Sequence, residues 1–283
     1  MKEIDVLVMS SSRPALIPYT INSFKRFVDS QCHCKLRYLL HEDFVFPKSS
    51  NDVIKWAVNS GVFDVIEKHN PKIGLGPAMS YMFKKHIRTK YMFYLQDDWE
   101  FERTGIDLDR ILWIMDRHPE INLILFNKYK NMGSYAGFSS VLREFDGMKL
   151  KTYNGWSFIP GIWRMNFIRN KWVTSKEKPE AYLNSHLDKK NIGIYFYGGD
   201  GENRWVRHLG NSFRMAAWQL KNGKPGGSLN YECREIETGG YYRAPWLPKI
   251  KARPTYIGSG DWGNDVSKET IEKLKKVGIN NIR

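Results

Sequence analysis

The chain has 283 residues, 42% hydrophobic and 26% charged, a globular balance that excludes general disorder and suits one large α/β domain or two small ones. Lys and Arg number 44 against 30 Asp and Glu, a net charge of +14, so charge points to an anionic partner, with scattered solubilising lysines as the plain alternative. No apolar run approaches the roughly 20 residues of a bilayer span, and three cysteines, two of them in Cys32-His33-Cys34, are too few for a disulfide scaffold and lack a second cluster for zinc.

Residues 5–10 are a short apolar run that ends in Ser, Arg and Pro, which reads as a first strand and its exit loop, not as a signal peptide. The expected setting is therefore a reducing, cytoplasmic one. Residues 18–28 carry Ile21, Phe24, Phe27 and Val28 at helical spacing. A second strand over 36–40 ends in His41-Glu42-Asp43, and a helix over 51–58 leads to a third strand over 63–66. A helix over 77–87 precedes a fourth strand, 90–95, which breaks into Gln96-Asp97-Asp98-Trp99. A helix over 108–117 and a strand over 121–126 continue the alternation.

Strands and helices alternating in this way predict an α/β, Rossmann-like fold with a mostly parallel central sheet and flanking helices. In such sheets ligands gather at the carboxyl ends of strands, where the polar clusters fall. From about residue 130 the text turns irregular, rich in aromatics and glycine. The expected organisation is one domain over 1–220 and an irregular C-terminal extension over 221–283 packed on it, with an exposed charged helix at 268–276.

The sharpest chemical feature is Asp97-Asp98 directly after an apolar strand. Adjacent carboxylates repel unless a cation joins them, and hard oxygen ligands suit Mg²⁺ or Mn²⁺. A capping or solvated pair is the bland alternative. Gly74-Leu75-Gly76-Pro77 lacks the third glycine of a dinucleotide fingerprint, and no Walker loop is present, which leaves NAD and ATP without a motif.

Taken together these segments resemble a glycosyltransferase of the GT-A fold, of the family-2-like group, over roughly residues 4–215. The resemblance implies that Ser10, Ser11 and Arg13 contact the nucleotide, with Ser23 later in the helix. It puts Glu42 and Asp43 against the base or ribose, and the loop from Asn70 through Gly76 and Pro77 beside the donor. Gln96 and Asp97 would meet the ribose or sugar, and Asp98 would hold the cation. Gln96 departs from the family, which commonly has an acid there. His208 would complete the metal site, a structural histidine being the alternative.

The segment 197–210 is similar to the family's acidic stretch that opens a helix, where a carboxylate takes the proton of the acceptor hydroxyl. Glu202 is slightly preferred over Asp200 as that base. Trp156, Pro160, Gly161 and Trp163 resemble the strand and turn shaping the sugar and acceptor pocket, with core packing an equal reading for the tryptophans; Arg204 and Arg207 join them from the acidic stretch. The implied activity is Mn²⁺- or Mg²⁺-dependent, inverting transfer from a UDP-sugar.

Six Lys/Arg without an acid lie between 147 and 176, and five between 203 and 231, both interleaved with aromatics. Such stretches suit DNA, so a hydroxymethylated base in DNA is one acceptor, as a phage-type DNA-modifying member of the family would need. A glycan, lipid or protein acceptor is the alternative. Outside the family, a metal-dependent nucleotidyltransferase or phosphodiesterase and a non-catalytic polyanion-binding module remain open.

Overall fold

The computed structural model describes residues 2–14, 16–45, 47–127, 138–172, 179–187, 192–198 and 204–208. The first half alternates as β1 (Glu3–Ser10), α1 (Ile17–Phe27), β2 (Lys35–Asp43), α2 (Pro47–Ser60), β3 (Val65–His69), α3 (Leu75–Lys85) and β4 (Tyr91–Gln96). After it come β5 (Trp99–Phe101), α4 (Leu108–Arg117), β6 (Leu123–Phe126), β7 (Phe138–Phe145), β8 (Met148–Tyr153) and β9 (Gly161–Arg164). The last described elements are α5 (Met165–Lys171), α6 (Pro179–His186), β10 (Ile194–Tyr197) and β11 (Val206–His208).

One sheet runs in the order β3-β2-β1-β4-β9-β6-β10-β8-β7. Within it β9 and β8 run against the other strands. β1 lies at the centre of the parallel half, paired with β2 and β4, and every residue from Ile4 to Ser10 is buried. A strand covered on both faces has no polar side to show, which is why its sequence reads as a continuous apolar run. α1 turns Ile17, Ile21 and Phe24 to this core and carries Lys25 and Arg26 in its last turn, where cations suit the helix dipole. α4 starts at Asp107, whose side chain accepts from the Arg110 backbone N–H.

One expectation is corrected here. The stretch after residue 130, read as irregular, contributes β7, β8, β9 and β10 to the main sheet. β7 and β8 are 8 and 6 residues long but mix Ser, Arg, Glu, Lys and Thr with their apolar positions, so they leave no continuous apolar run, and β9 and β10 are only four residues each. Cys32 and Cys34 are joined sulfur to sulfur, closing a small ring within one loop. No helix among the described residues is long and apolar enough to cross a membrane. Residues 209–283 lie outside the described residues, and with them the boundary at 220, the extension and the charged helix at 268–276.

β9 owes its place to Gly161. A Cβ on that residue would stand 2.5 Å from the Ile124 carbonyl oxygen, a backbone atom of the neighbouring β6 that cannot swing aside. Gly161→Ala is therefore expected to destabilise the protein by about 2 kcal/mol or more. The check is thermal unfolding, with a clearly lowered midpoint expected.

Candidate active site

The carboxyl ends of β1, β2 and β4 meet at one edge of the sheet, and the site is built from the loops leaving them. β4 ends at Gln96, and Asp97 and Asp98 make the turn into β5. Both acids are buried. The Asp97 backbone N–H donates to the Met9 carbonyl at 3.1 Å, which fixes the turn against β1. The Asp97 carboxylate accepts from the Ser10 hydroxyl at 2.8 Å and from the Ser11 backbone N–H at 3.1 Å.

Arg13 straddles the pair. One terminal guanidinium nitrogen donates to Asp97 and the other to Asp98, while its Nε lies 3.3 Å from Asp97 Oδ2. From the opposite side the His208 Nε2 stands 3.1 Å from Asp98 Oδ2, its ring stacked on Trp99 at 4.3 Å. Burial and the neighbouring Asp98 charge raise the pKa of Asp97 in spite of Arg13. Burial pushes Asp98 up as well, but Arg13 and then His208 outweigh it and hold Asp98 well below the usual carboxylate range. Of the two, Asp98 is the acid more strongly held in its charged form.

The two acids are held by internal ion pairs, so the question is whether a divalent cation fits there. Asp98 Oδ1 is buried and has no hydrogen-bond partner among the described residues. A buried carboxylate oxygen without a donor is costly unless something cationic serves it. The carboxylate oxygen suits Mn²⁺ or Mg²⁺, and the ring nitrogen of His208 alongside favours Mn²⁺, since Mg²⁺ strongly prefers oxygen donors. Asp98 and His208 are the residues that would hold such an ion.

Next to the acids a cavity of about 210 Å³ is lined by Ser10, Ser11, Arg13, Asp43, Gly74 and Gln96 among others. Five of these are residues singled out in the sequence. Asp43 accepts from the backbone N–H groups of Ile73 and Gly74 at 2.8 and 2.9 Å, which ties the end of β2 to the start of α3. Gly74 there has φ +85, in the range that favours glycine. Gly76 is buried and Pro77 half-buried in the first turn of α3, between Leu75 and Ala78, which line the cavity. Lys72 also lines the cavity and was not singled out; a lone lysine in a Pro-Lys-Ile loop carries no pattern.

Glu42 is placed differently from expectation. It is fully buried, and its Oε1 accepts from the Ser12 backbone N–H at 2.7 Å and the Ser50 hydroxyl at 2.6 Å. It therefore does not face the cavity. It anchors Ser12, whose φ of 56 is a strained conformation for a non-glycine residue and sets the path of the loop carrying Arg13. Ser12 and Ser50 were missed in the sequence because their roles depend on contacts across 30 and 38 positions.

Burial drives the Glu42 pKa up to about 8, against the hydrogen bonds from Ser10, Ser50 and Ser12. A raised carboxyl pKa gives stability that is complete below the ordinary value and is lost as pH climbs through the folded value. Stability should thus fall by about 1.4 kcal/mol per pH unit, at most, between pH 4.5 and 8 from this group. Glu42→Gln should flatten that slope, as read from denaturant midpoints across the range.

The proposed acceptor-pocket residues are also corrected. Trp156 and Trp163 are 1% and 0% exposed and pack on each other at 5.1 Å, with Tyr94 and Phe158 around Trp163. Neither has a free face for a sugar. Pro160 is buried and Gly161 serves the strand pairing described above. Arg204 and Arg207 are paired with Glu102 and Glu100 across the two-stranded β5–β11 ribbon. They hold the ribbon that carries His208. Asp200 and Glu202 lie outside the described residues. Of the basic stretch over 147–176, Lys151 and Arg164 are buried, and Arg164 donates to the carbonyls of Ile121, Met115 and His118. Of the five described cations in that stretch, two are therefore turned into the protein and not towards a DNA surface.

A largely parallel sheet, a carboxylate pair after its fourth strand and a cavity across the ends of β1 and β2 define the GT-A glycosyltransferase fold. The chain matches GalNAc-T7, solved with UDP, GalNAc and Mn²⁺, with a TM-score of 0.51 at 10% identity, over 83% of this chain and 54% of that one. It also aligns with S. aureus TarS, with a TM-score of 0.49 at 12% identity over 97% of this chain. A third alignment is with the mannosyltransferase PcManGT from Pyrobaculum calidifontis, solved with GDP-Man and Mn²⁺, with a TM-score of 0.48 at 9% identity over 86% of this chain and 70% of that one. The chain spans 50% of the TarS chain. The likeness is one of fold. No family model and no curated protein matches the sequence.

Proposed function

We propose that the chain is a metal-dependent glycosyltransferase that moves a sugar from a nucleoside diphosphate sugar, a UDP-sugar first, to an acceptor hydroxyl. The observation that carries this reading is Asp98. It is a buried, ionised carboxylate with one unserved oxygen, set between the cavity at the ends of β1 and β2 and the imidazole of His208. The GT-A fold and its solved examples with nucleotide and Mn²⁺ support the same reading.

In this reading the cavity takes the nucleotide. The Ser10 and Ser11 loop and Arg13 are close to its phosphates, and Asp43 lies at the ribose side. Asp98 and His208 would hold a Mn²⁺ or Mg²⁺ there, and the ion would supply positive charge to the departing diphosphate. As the anion is bound, Arg13 exchanges a carboxylate for a phosphate oxygen, for which its planar fork is equally suited. The acceptor oxygen forms a bond to the anomeric carbon as the bond from that carbon to the diphosphate oxygen breaks. The acceptor proton passes to Glu202 or Asp200, and the electron pair leaves with the nucleoside diphosphate. One direct displacement of this kind inverts the anomeric centre.

The test is a panel of UDP- and GDP-sugars with Mn²⁺, read by nucleoside diphosphate release. Release of the diphosphate from one donor class supports the reading. Monophosphate or pyrophosphate as the product would instead establish a phosphodiesterase or nucleotidyltransferase.

A further inference from the structure

Cys32 and Cys34 lie at the opposite edge of the sheet from the cavity beside Asp98. Cys34 directly precedes β2, and the far end of that strand, Asp43, lines the cavity. Cys34 is 8% exposed and Cys32 is half-buried. The further ligand that the Cys-His-Cys motif lacks is brought by Asp109, in the first turn of α4 and 76 positions beyond His33. Both sulfurs and one Asp109 carboxylate oxygen lie within 4.8 Å of one another. Asp109 is half-buried, so the cluster is open to solvent on one side.

The S–S bond is not what brings these groups together. The His33 backbone N–H donates to Asp109 Oδ2 at 2.7 Å, and the Gly105 backbone N–H donates to Gln31 Oε1 at 3.2 Å. The chain is therefore tied on both sides of Cys32 to the run 105–109 that leads into α4. Asp109 Oδ1 accepts from no donor among the described residues, which leaves it for a ligand. The Cys34 backbone N–H points at Cys32 Sγ at 3.1 Å, a donor that supports negative charge on that sulfur.

With the disulfide closed the sulfurs are uncharged and ligate poorly. Opened, they put two thiolates beside a carboxylate, and three anions so close repel unless protons or a divalent cation neutralise them. Thiolate sulfur selects Zn²⁺ over Mg²⁺ and Mn²⁺, which take oxygen. We infer that Cys32, Cys34 and Asp109 form a redox-gated Zn²⁺ site, closed by the disulfide and opened by its reduction, with water in the fourth position. Reduction adds two electrons and two protons to the S–S bond, from a dithiol that closes to its own disulfide or from a phosphine that goes to its oxide with water. Zn²⁺ then displaces both thiol protons as two Zn–S bonds form.

The test uses the full-length protein, reduced with a phosphine and titrated with Co²⁺ and then Zn²⁺. A sulfur-to-cobalt charge-transfer absorption should grow to saturation at about one ion per chain and be bleached by Zn²⁺. Oxygen and nitrogen ligands give no such band, so an ion at Asp98 and His208 does not contribute. The oxidised protein should show no band. Cys32→Ser and Cys34→Ser should each weaken Zn²⁺ binding at least about a hundredfold at this site. Asp109→Asn keeps an acceptor for the His33 N–H and both sulfurs, so it should retain the band while losing at least about tenfold in affinity. Cys233→Ser should change nothing. Absence of the band in the reduced wild type, an unchanged affinity in Cys34→Ser or in Asp109→Asn, or loss of the band in Cys233→Ser overturns the inference. Each result leaves the glycosyltransferase reading untouched, since the two sites share no residue.

Discussion

Asp98→Asn is expected to reduce sugar transfer by a factor of about 1,000 or more while the protein stays folded. The substitution keeps the shape of the side chain and removes the charge that Arg13 and His208 hold ionised. Asp97 still pairs with Arg13, so the loop from β1 keeps its anchor. What disappears is the anionic oxygen set that a divalent ion requires, since a neutral amide is a far weaker ligand. Two readouts follow. Nucleoside diphosphate release should fall to background at saturating donor, and UDP affinity should lose its dependence on Mn²⁺. Turnover close to wild type in the presence of Mn²⁺ would remove the basis of the metal-dependent reading.

The second large effect is on stability. Arg13→Met should cost about 3–5 kcal/mol in metal-free buffer, because it leaves two adjacent buried carboxylates without their shared cation. A surface ion pair would cost far less, so the magnitude itself reports the burial. The variant also has a distinctive rescue. If Asp98 and His208 hold a divalent ion, millimolar Mn²⁺ restores the missing positive charge and raises the melting temperature of Arg13→Met more than that of wild type. A variant that melts with wild type in metal-free buffer, or that ignores Mn²⁺, would show that the acids do not depend on a cation.

These two experiments separate what Arg13 and Asp98 each do. In the described state Arg13 serves both acids, and the same guanidinium lines the cavity that would receive a diphosphate. A side chain so placed can exchange anions without crossing the site. The loop that carries it is held by Glu42 through the Ser12 backbone N–H.

Local pattern was enough for the parallel half of the fold. β1, β2 and β4 are apolar runs that end in polar clusters, and α1, α3 and α4 carry apolar positions at helical spacing, because strands buried on two faces and helices buried on one leave those marks in any chain. Asp97 and Asp98 were legible for the same reason: two acids at the end of an apolar strand fall at the edge of the sheet where ligands gather. The second half of the sheet was less legible: the segment around Gly161 and Trp163 resembled a strand and turn, but β7, β8 and β10 were not read as strands, and their places are set by partners in distant sequence.

The three-dimensional packing decided which of the marked residues meet a cavity. Glu42 and Asp43 are neighbours in a strand and point to opposite faces, so one holds a buried loop and the other lines the pocket. Trp156 and Trp163 looked able to stack on a sugar, yet they fill the core beneath Tyr94. Arg164 looked like part of a cationic surface and is spent on carbonyls at the end of α4. Composition and periodicity report how much of a chain must be buried and on which side. Which polar groups remain for a ligand depends on partners far away in sequence, and only the folded arrangement brings those together.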